Sequence, residues 1–411
     1  MSKLLNIFNE DILNRVVKFV LLFLSCFFVS CYRMDNEQKT YPVRIEKVNS
    51  LINVINPGFP KIPPRKFILK EEFSIGNDSD ENYLFLKIRK LGMDNKMNLY
   101  VLDSKKCRIQ VFDKQGIFVR SIGRGPGNGP GEMGNPIDLI IDEKNDLVHI
   151  LDNKNRKIIR YHLSGIYDTE IKLIDGSPDL LFLDIHGSYI IVYSFLSNEG
   201  FQQNKIITYT LAGKRQPNMR EFISSKSKAI DLNSGLTIGV SIPFNPKGYY
   251  AYSQEGYLYY GFSDRYELIV LDEFLKIIKI IKKRDAEKIR ISQQEIEMVN
   301  QELRKQFNRK GITSNIKIDF PDFHQLFTAI WVDNNSRILL ENHTTNDEAQ
   351  IDVFNNEGIY VEKMIVAKPN DGTALKWIFY RPLFNNDCIY AVVINDDDVL
   401  LVKKYRFIEK I

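Results

Sequence analysis

Leu99-Tyr100-Val101-Leu102-Asp103 and Ile109-Gln110-Val111-Phe112 reappear about 50 residues later as Val148-His149-Ile150-Leu151-Asp152 and Ile158-Ile159-Arg160-Tyr161. Each copy continues into a turn that ends in glycine, at Gly116 and Gly165. Short runs of β-branched and aromatic residues repeated at this period are typical of the blades of a β-propeller. The repeat therefore predicts an all-β fold.

The same pattern continues along the chain and predicts six blades. They span residues 83–122, 136–173, 180–222, 248–283, 323–366 and 377–402. The sixth is one strand short, and residues 67–75 form a strand-like run that belongs to no blade. We therefore expect a six-bladed β-propeller that is closed by this N-terminal strand, because closure leaves no open sheet edge.

One helix interrupts the blades, at about residues 285–310. Ser292-Gln293-Gln294-Glu295 is a capping box. Apolar residues follow at helical spacing, and a glycine ends the run: Ile296, Val299, Leu303, Phe307 and Gly311. This apolar stripe is expected to pack on the propeller rather than to bind a partner.

The N-terminus has the pattern of an export signal. Basic residues precede the apolar run 19–30, which ends at Cys31 and is short for a membrane span. Phe28-Val29-Ser30-Cys31 resembles a bacterial lipobox, which implies that residues 1–30 are a signal peptide and that Cys31 is lipidated. Cys26 is a weaker second candidate, and an uncleaved anchor helix is the alternative. Each of these interpretations places the rest of the chain outside the cytoplasm.

Residues 31–65 are predicted to be a lipid-tethered linker, and residues 66–411 the propeller. The linker is polar and then rich in proline, with Pro57, Pro60, Pro63 and Pro64. Its membrane contact is expected through the lipid, because the formal net charge of the chain is only +4. No run of basic residues marks a nucleic-acid surface, so no nucleic-acid partner is predicted.

The cysteines and the motifs predict no metal or cofactor. Cys107 and Cys388 fall in the first and last blades, where a disulfide is allowed but two separate thiols are favoured. Residues 129–134 match G-x-G-x-x-G, but Asn135-Pro136 follows where a helix should begin. No other catalytic or metal motif is present. The five histidines are scattered over several blades, and their convergence on the propeller axis stays open.

The long connections predict a functional face. Connections between blades, and between the second and third strands of one blade, emerge on the same face of a propeller. The long segments 123–135, 194–204, 223–247, 284–322 and 342–350 all fall there. Because binding residues gather on long loops, we propose Arg124, Glu132 and His324 as ligand contacts. The alternatives are a surface charge for Arg124, a cap on loop amides for Glu132 and a packing role for His324.

The Gly-Pro loop and its flanks resemble the bacterial six-bladed β-propeller lipoproteins of the NHL-repeat-like group. The residues concerned are Ser121-Ile122-Gly123-Arg124, Gly129-Pro130-Gly131-Glu132, Ile137–Asp142, and Phe320-Pro321-Asp322-Phe323-His324 before Trp331. The resemblance covers about residues 65–411 and implies an exported propeller. NHL relatives that are enzymes cleave peptidyl α-hydroxyglycines with metal and histidines, and their motif has no match here.

Two functions follow as hypotheses. The first is a lipid-anchored binding or scaffolding module at the cell envelope, which holds a peptide, a glycan or an envelope protein on the long-loop face. The second is a hydrolase or lyase for a sugar lactone, glycan or peptidyl substrate, with a metal or a His/carboxylate site at the central channel. A channel lined by several carboxylates and histidines would favour the enzyme, and an aromatic or neutral mouth would favour binding.

Overall fold

A computed structural model describes residues 42–197, 201–231, 237–239, 243–309, 319–344, 348–367, 369, 374–375, 382–385, 387–395 and 397–410. From Val43 onward the chain forms one unit. The predicted signal peptide, Cys26, Cys31 and Gly311 lie outside the described residues.

The strands are numbered β1 to β28 in chain order. Three precede the first blade: β1 (Arg44–Val48), β2 (Leu51–Asn56) and β3 (Arg65–Ile75). Blade 1 contains β4 (Ile88–Met93), β5 (Leu99–Asp103), β6 (Arg108–Phe112) and β7 (Phe118–Ile122). Blade 2 contains β8 (Pro136–Asp142), β9 (Leu147–Asp152), β10 (Lys157–His162) and β11 (Tyr167–Lys172). Blade 3 contains β12 (Ser177–Leu183), β13 (Tyr189–Leu196), β14 (Phe201–Tyr209) and β15 (Arg215–Asp231), followed by β16 (Thr237–Gly239).

The second half of the chain continues the series. Blade 4 contains β17 (Gly248–Tyr252), β18 (Leu258–Phe262), β19 (Glu267–Leu271) and β20 (Ile277–Lys283). The helix α1 (Gln293–Arg309) follows. Blade 5 contains β21 (Phe327–Val332), β22 (Ile338–Asn342), β23 (Glu348–Phe354) and β24 (Tyr360–Ala367). Blade 6 contains β25 (Ala374–Leu375), β26 (Leu383–Asn385), β27 (Cys388–Ile394) and β28 (Leu400–Glu409).

Strands pair antiparallel in chain order within blades 1 to 5. The first strands of neighbouring blades contact each other, as β4 does with β8 and β17 with β21, so these strands form the inner wall of a ring. Apolar residues of adjacent blades fill the space between them. Tyr100 and Ile109 of blade 1, for example, share one core cluster with Ile150 of blade 2.

The predicted closure by an N-terminal strand is confirmed. β3 pairs antiparallel with β28, from Ile75 opposite Val402 to Phe67 opposite Glu409, and so becomes the outer strand of blade 6. Its first residues also pair parallel with β24 of blade 5. Alternation explains why this run is a strand, because Phe67 and Leu69 are buried between blades while Ile68 faces outward.

The repeated Leu-Asp pair has a structural role in the turns between blades. Asp103 and Asp152 end the second strands of blades 1 and 2, and both are fully buried. Asp103 accepts hydrogen bonds from the backbone amides of Leu86 and Lys87. Asp152 does the same for the residues that lead into β8. The carboxylates therefore fix the connection that enters each inner strand.

Residues 44–56, which fall in the expected linker, are a β-hairpin on the outer edge of blade 4. β1 pairs with β2, and β2 pairs parallel with β20. Asn56 is fully buried and joins blade 4 to blade 5, because it donates to the Gly358 carbonyl at 2.9 Å and accepts from the Tyr360 amide at 2.8 Å. The available signal for this strand was its content of apolar and β-branched residues, in Leu51-Ile52-Asn53-Val54-Ile55.

The outer strands of blade 3 also differ from expectation, since two of the expected loops are largely strand. β13 and β14 remain paired as far as Leu196 and Gln202, and β15 extends to Asp231, where it pairs with β16. Pairing satisfies the backbone hydrogen bonds that a loop would leave to water.

The inserted helix begins as predicted. Ser292 and Glu295 exchange the two hydrogen bonds of a capping box, at 2.9 Å and 3.2 Å. Leu303 of the apolar stripe is buried, while Met298 on the opposite side is exposed. The stripe therefore faces the protein.

Cys107 and Cys388 are buried free thiols, in agreement with the prediction of two separate thiols. Burial raises the pKa of both. Within the described part of the chain, no helix combines the length and apolar character that a membrane crossing requires.

Candidate functional site

The central channel opens into a cavity of about 500 Å³ that is lined by residues of blades 1 to 5. Its main polar residues are Asn135, Asn153, Asp179, Asn204, Ser224 and Thr328. Its aromatic residues are Tyr249, Tyr250 and Trp331. Asn135 precedes an inner strand, and Asn153 lies between the second and third strands of its blade. The cavity therefore opens on the face where the long connections were predicted.

Two of the amides in this cavity are held by neighbouring strands. Asn204 is buried, donates to the Ser194 hydroxyl at 3.1 Å and accepts from the Tyr250 hydroxyl at 3.4 Å. Asn153 donates to the Ser177 hydroxyl at 2.9 Å. Asn153 also donates to the Pro178 carbonyl, and Asn204 to the Tyr193 carbonyl, so the N–H groups of both amides are engaged by the protein. The side-chain oxygens are the groups that these fixed amides can present to a ligand as acceptors.

The aromatic side of the cavity is neutral. Tyr249 donates to the Gln325 side chain at 2.9 Å. Burial raises the pKa of Tyr249 and Tyr250 well above the ordinary tyrosine value, so both remain phenols at neutral pH. Trp331 lies beside them in blade 5. Aromatic faces next to amides suit a ligand that has both apolar and hydroxyl or peptide groups.

Two charged side chains lie in the cavity, and they come from different blades. Arg89 is on β4, and its Nε has no hydrogen-bond partner among the described residues. Asp179 is on β12 and accepts from the Ser194 hydroxyl at 3.2 Å. One cation and one anion leave the described lining without a dominant charge.

Behind the cavity wall lies a buried carboxyl group, Glu341 on β22. The hydroxyl of Thr328, which lines the cavity, donates to Glu341 Oε2 at 2.8 Å. Burial raises the pKa of Glu341 to about 7, although the bond from Thr328 acts in the opposite direction. The folded protein therefore holds this proton more tightly than the unfolded chain does.

We expect Glu341→Gln to stabilise the protein at high pH. The favourable contribution of protonated Glu341 is complete below the ordinary carboxyl pKa of 4.5 and is lost as pH rises through about 7. The variant should raise the free energy of unfolding at pH 8 by up to about 3 kcal/mol and change it little at pH 4.5. Urea denaturation at both pH values measures this, with exposed Glu357→Gln as the control. Equal effects at the two pH values would contradict it.

Comparisons with known proteins agree with this architecture. Residues 78–199 match a family model, DUF5128, described as a 6-bladed beta-propeller. A candidate exported protein of Bacteroides fragilis has a TM-score of 0.51 at 12% identity, over 87% of this chain and 99% of its own. The fold is a six-bladed β-propeller. At this identity the likeness shows the fold alone.

Two further solved structures are more distant, and no curated protein matches the chain. A DUF4221-family member from Bacteroides vulgatus has a TM-score of 0.47 at 13% identity, over 85% of this chain and all (100%) of its own. Virginiamycin B lyase from Staphylococcus aureus has a TM-score of 0.41 at 12% identity, over 83% of this chain and 100% of its own.

Arg124 and Glu132 of the propeller lie in the loop between blades 1 and 2 and contact that loop. Glu132 accepts from the Gly129 amide at 2.8 Å. Arg124 donates to the Pro130 carbonyl at 3.1 Å, and its guanidinium stacks 4.7 Å from the Tyr167 ring centroid. Neither residue lines the channel cavity. The observed contact of Glu132 is the one expected under the alternative interpretation, in which this carboxylate caps backbone amides of its own loop.

His324 lies on the other side of the ring, in the connection between blades 4 and 5. It is buried, and its Nε2 is 3.1 Å from Glu295, the capping-box residue of α1. Its ring stacks on His343 at 4.0 Å between centroids. Burial, and then the neighbouring His324, lower the pKa of His343 to about 4. These contacts join the helix to blade 5 and do not bring His324 into the channel cavity.

The five histidines do not converge on the axis. His149 is buried in blade 2, where it contacts Asp142 and Tyr189. His162 and His186 lie near surface carboxylates. None of the five lines the channel cavity. Among the described residues, no group of three or more His, Cys, Asp or Glu side chains is arranged to hold a metal ion.

The sequence interpretation missed the residues that do line the channel. Asn135 and Asn153 stand at the ends of strands, and Tyr249 and Tyr250 begin an inner strand. Their positions in the blades were an available signal. Asn135, Tyr249 and Tyr250 lie at the start of inner strands, and Asn153 lies in the connection before a third strand, so all four are expected on the long-loop face. Residue type alone gave no signal of a ligand site, because asparagine is also common in turns.

Proposed function

We propose that this protein is an exported, lipid-anchored β-propeller that binds a neutral polar ligand, a glycan or a peptide, at the mouth of its channel. The observation that carries the proposal is the cavity of about 500 Å³ lined by fixed amides and aromatic side chains. A site of this size encloses a few sugar or amino-acid units. Its amide oxygens, hydroxyl groups and ring faces provide orientation without a net charge.

The hydrolase or lyase hypothesis receives less support from the same cavity. Its described lining contains one carboxylate, Asp179, and no imidazole. General acid-base catalysis by side chains uses paired groups within reach of one bond. Binding is therefore the function that the described geometry supports best.

The binding proposal is tested with neutral oligosaccharides and neutral peptides on an array, using the purified protein in detergent. We expect saturable binding that Asn135→Ala combined with Asp179→Ala weakens about 10-fold or more, because each loses a polar contact. Asn335→Ala is the matched control, since Asn335 is exposed in a turn on the opposite face. Wild-type protein that retains no oligosaccharide and no peptide would contradict the proposal.

The envelope location is supported by the signal-like pattern before Cys31, by the lipobox resemblance and by the resemblance to NHL-like lipoproteins. If Cys31 carries the lipid, the tether reaches only to Arg44, where β1 begins. These 12 or so intervening residues span at most about 40 Å when extended. The propeller would then be held close to the membrane surface.

We expect Cys31→Ala to release the protein from the membrane fraction, because a protein without acyl chains has too little charge to bind lipid by itself. Fractionation of cells followed by immunoblotting measures the release. Cys26→Ala is the matched control and should leave the protein in the membrane fraction. The lipobox assignment would be contradicted if the two variants behaved alike.

A further inference from the structure

A second cavity lies between blades 4 and 5 and shares no lining residue with the channel cavity. Its volume is about 440 Å³. One wall is the chain that leaves β20, residues 286–290, and the other is formed by residues 342–344 at the end of β22. Both walls are connections of the long-loop face. The cavity is therefore open on the same side of the ring as the channel.

The floor of this interblade cavity is a buried and neutralised ion pair. Lys283 lines the cavity, and its ammonium donates to Asp352, which is fully buried. The hydroxyls of Tyr266 and Tyr360 also contact Asp352, at 2.5 Å and 2.6 Å. Asp352 is thus fully engaged by groups of the protein. Its negative charge is not available to balance other cations in the cavity.

The walls carry a surplus of positive charge. Lys288, Arg290 and Lys363 line the cavity, against a single acidic lining residue, Glu287. Within the described part of the chain, no carboxylate lies within ion-pair distance of these three cations. Lys288 and Arg290 instead lie over the Phe323 ring, and Lys363 donates to the Gln350 side chain at 3.4 Å. These contacts position the cations without neutralising them.

Groups that hydrogen-bond an oxyanion complete the cavity. Asn342, His343 and Thr344 lie side by side along one wall, and Gln350 lies at the start of β23. Arginine and lysine are the side chains that bind phosphate and sulfate groups most strongly, arginine through two parallel hydrogen bonds. A dianion would balance three cations and one carboxylate, whereas a neutral ligand would leave the surplus uncompensated.

We infer that the interblade cavity binds a small polar molecule through a phosphate or sulfate ester, with Lys288, Arg290 and Lys363 around the oxyanion. A volume of about 440 Å³ accommodates a group of the size of a monosaccharide beside the oxyanion. The site is separate from the channel, so it stands whether or not the channel binds a neutral ligand. The two sources of the oxyanion, phosphorylated and sulfated molecules, share this chemistry.

The test is isothermal titration of the purified protein with glucose 6-phosphate, glucose 6-sulfate and glucose at constant ionic strength. We expect saturable binding of at least one ester and none of glucose. Lys288→Gln combined with Lys363→Gln should weaken ester binding at least about 10-fold, since each replacement removes a charge-assisted contact. The ester that binds more tightly identifies the source.

Lys276→Gln is the control variant, because Lys276 is an exposed residue of the same blade in a turn on the opposite face. It should bind the esters as the wild-type protein does. Circular dichroism and thermal unfolding check that all variants are folded. The inference is overturned if neither ester binds wild-type protein, or if the cavity variant and Lys276→Gln bind an ester equally.

Discussion

Removal of residues 65–75 is expected to prevent folding of the chain to a monomeric propeller. β3 is the outer strand of blade 6 and pairs with β28 along most of its length. It also pairs with β24 of blade 5 and continues into β4 of blade 1, so its loss removes the strand that links blade 6 to blade 1. An open edge exposes unpaired backbone and apolar surface, both of which favour association with other chains. Size-exclusion chromatography should show aggregated protein or none.

Two single replacements on β3 give a graded form of the same test. Ile75 is buried in a cluster with Val392 and Val402 of blade 6, so Ile75→Ala should lower the free energy of unfolding by about 2–5 kcal/mol. Ile68 is on the same strand but faces solvent, so Ile68→Ala should change the free energy of unfolding by less than about 0.5 kcal/mol. Denaturant unfolding measures both values.

A peptide of residues 65–75 provides a further check on the closure. Added to the truncated chain during refolding, it should restore monomeric protein, because the strand binds by the same backbone pairing whether or not it is covalently attached. If the truncated protein were monomeric and as stable as the wild type without the peptide, β3 would not be the closing strand.

Asp352→Asn is expected to lower the free energy of unfolding by about 3–5 kcal/mol, because it leaves the Lys283 ammonium buried without its counter-ion. Both side chains of this pair are almost inaccessible, with 6% of Lys283 and none of Asp352 exposed. Burial already lowers the pKa of Lys283 in the intact pair. Without the carboxylate, the charged form becomes more costly still. Urea unfolding at pH 7 measures the loss.

A double-mutant cycle separates the pair from its surroundings. Lys283→Met removes the charge that Asp352→Asn leaves behind, so the double variant should be more stable than the sum of the two single losses predicts, by about 1–3 kcal/mol. Glu267→Gln provides the control, since Glu267 pairs with half-exposed Lys282 on the same blade and should cost less than about 1 kcal/mol. Strict additivity of Asp352→Asn and Lys283→Met would contradict the coupling.

The architecture was predictable because its signals are local and repeated. The Leu-Asp pair recurs at Asp103 and Asp152 because blades 1 and 2 use the same carboxylate to hold the amides that enter their inner strands. The capping box at Ser292 depends on four consecutive residues. The hairpin of β1 and β2 was missed because the prolines that follow it suggested a linker, although β2 is rich in β-branched residues.

The site was less predictable than the fold, because its residues are far apart in the chain. Arg124 and Glu132 stood out through their glycine-rich loop, but that prominence reflects contacts within the loop. Asn135 and Tyr250 line one cavity only because two different blades place them at the same end of the channel. No spacing of residues in the sequence indicates that these two side chains lie close together.

The sequence by itself determined most strands of the blades, the glycine turns, the helix start and the strand that closes the ring, because each depends on alternation or on bonds between near neighbours. The tertiary structure alone decided which polar groups are buried and how their charges balance. Asp352 neutralises Lys283 across the joint between two blades, whereas no described carboxylate forms an ion pair with Lys363. Burial and charge balance depend on every element packed around a group, so they are properties of the assembled ring.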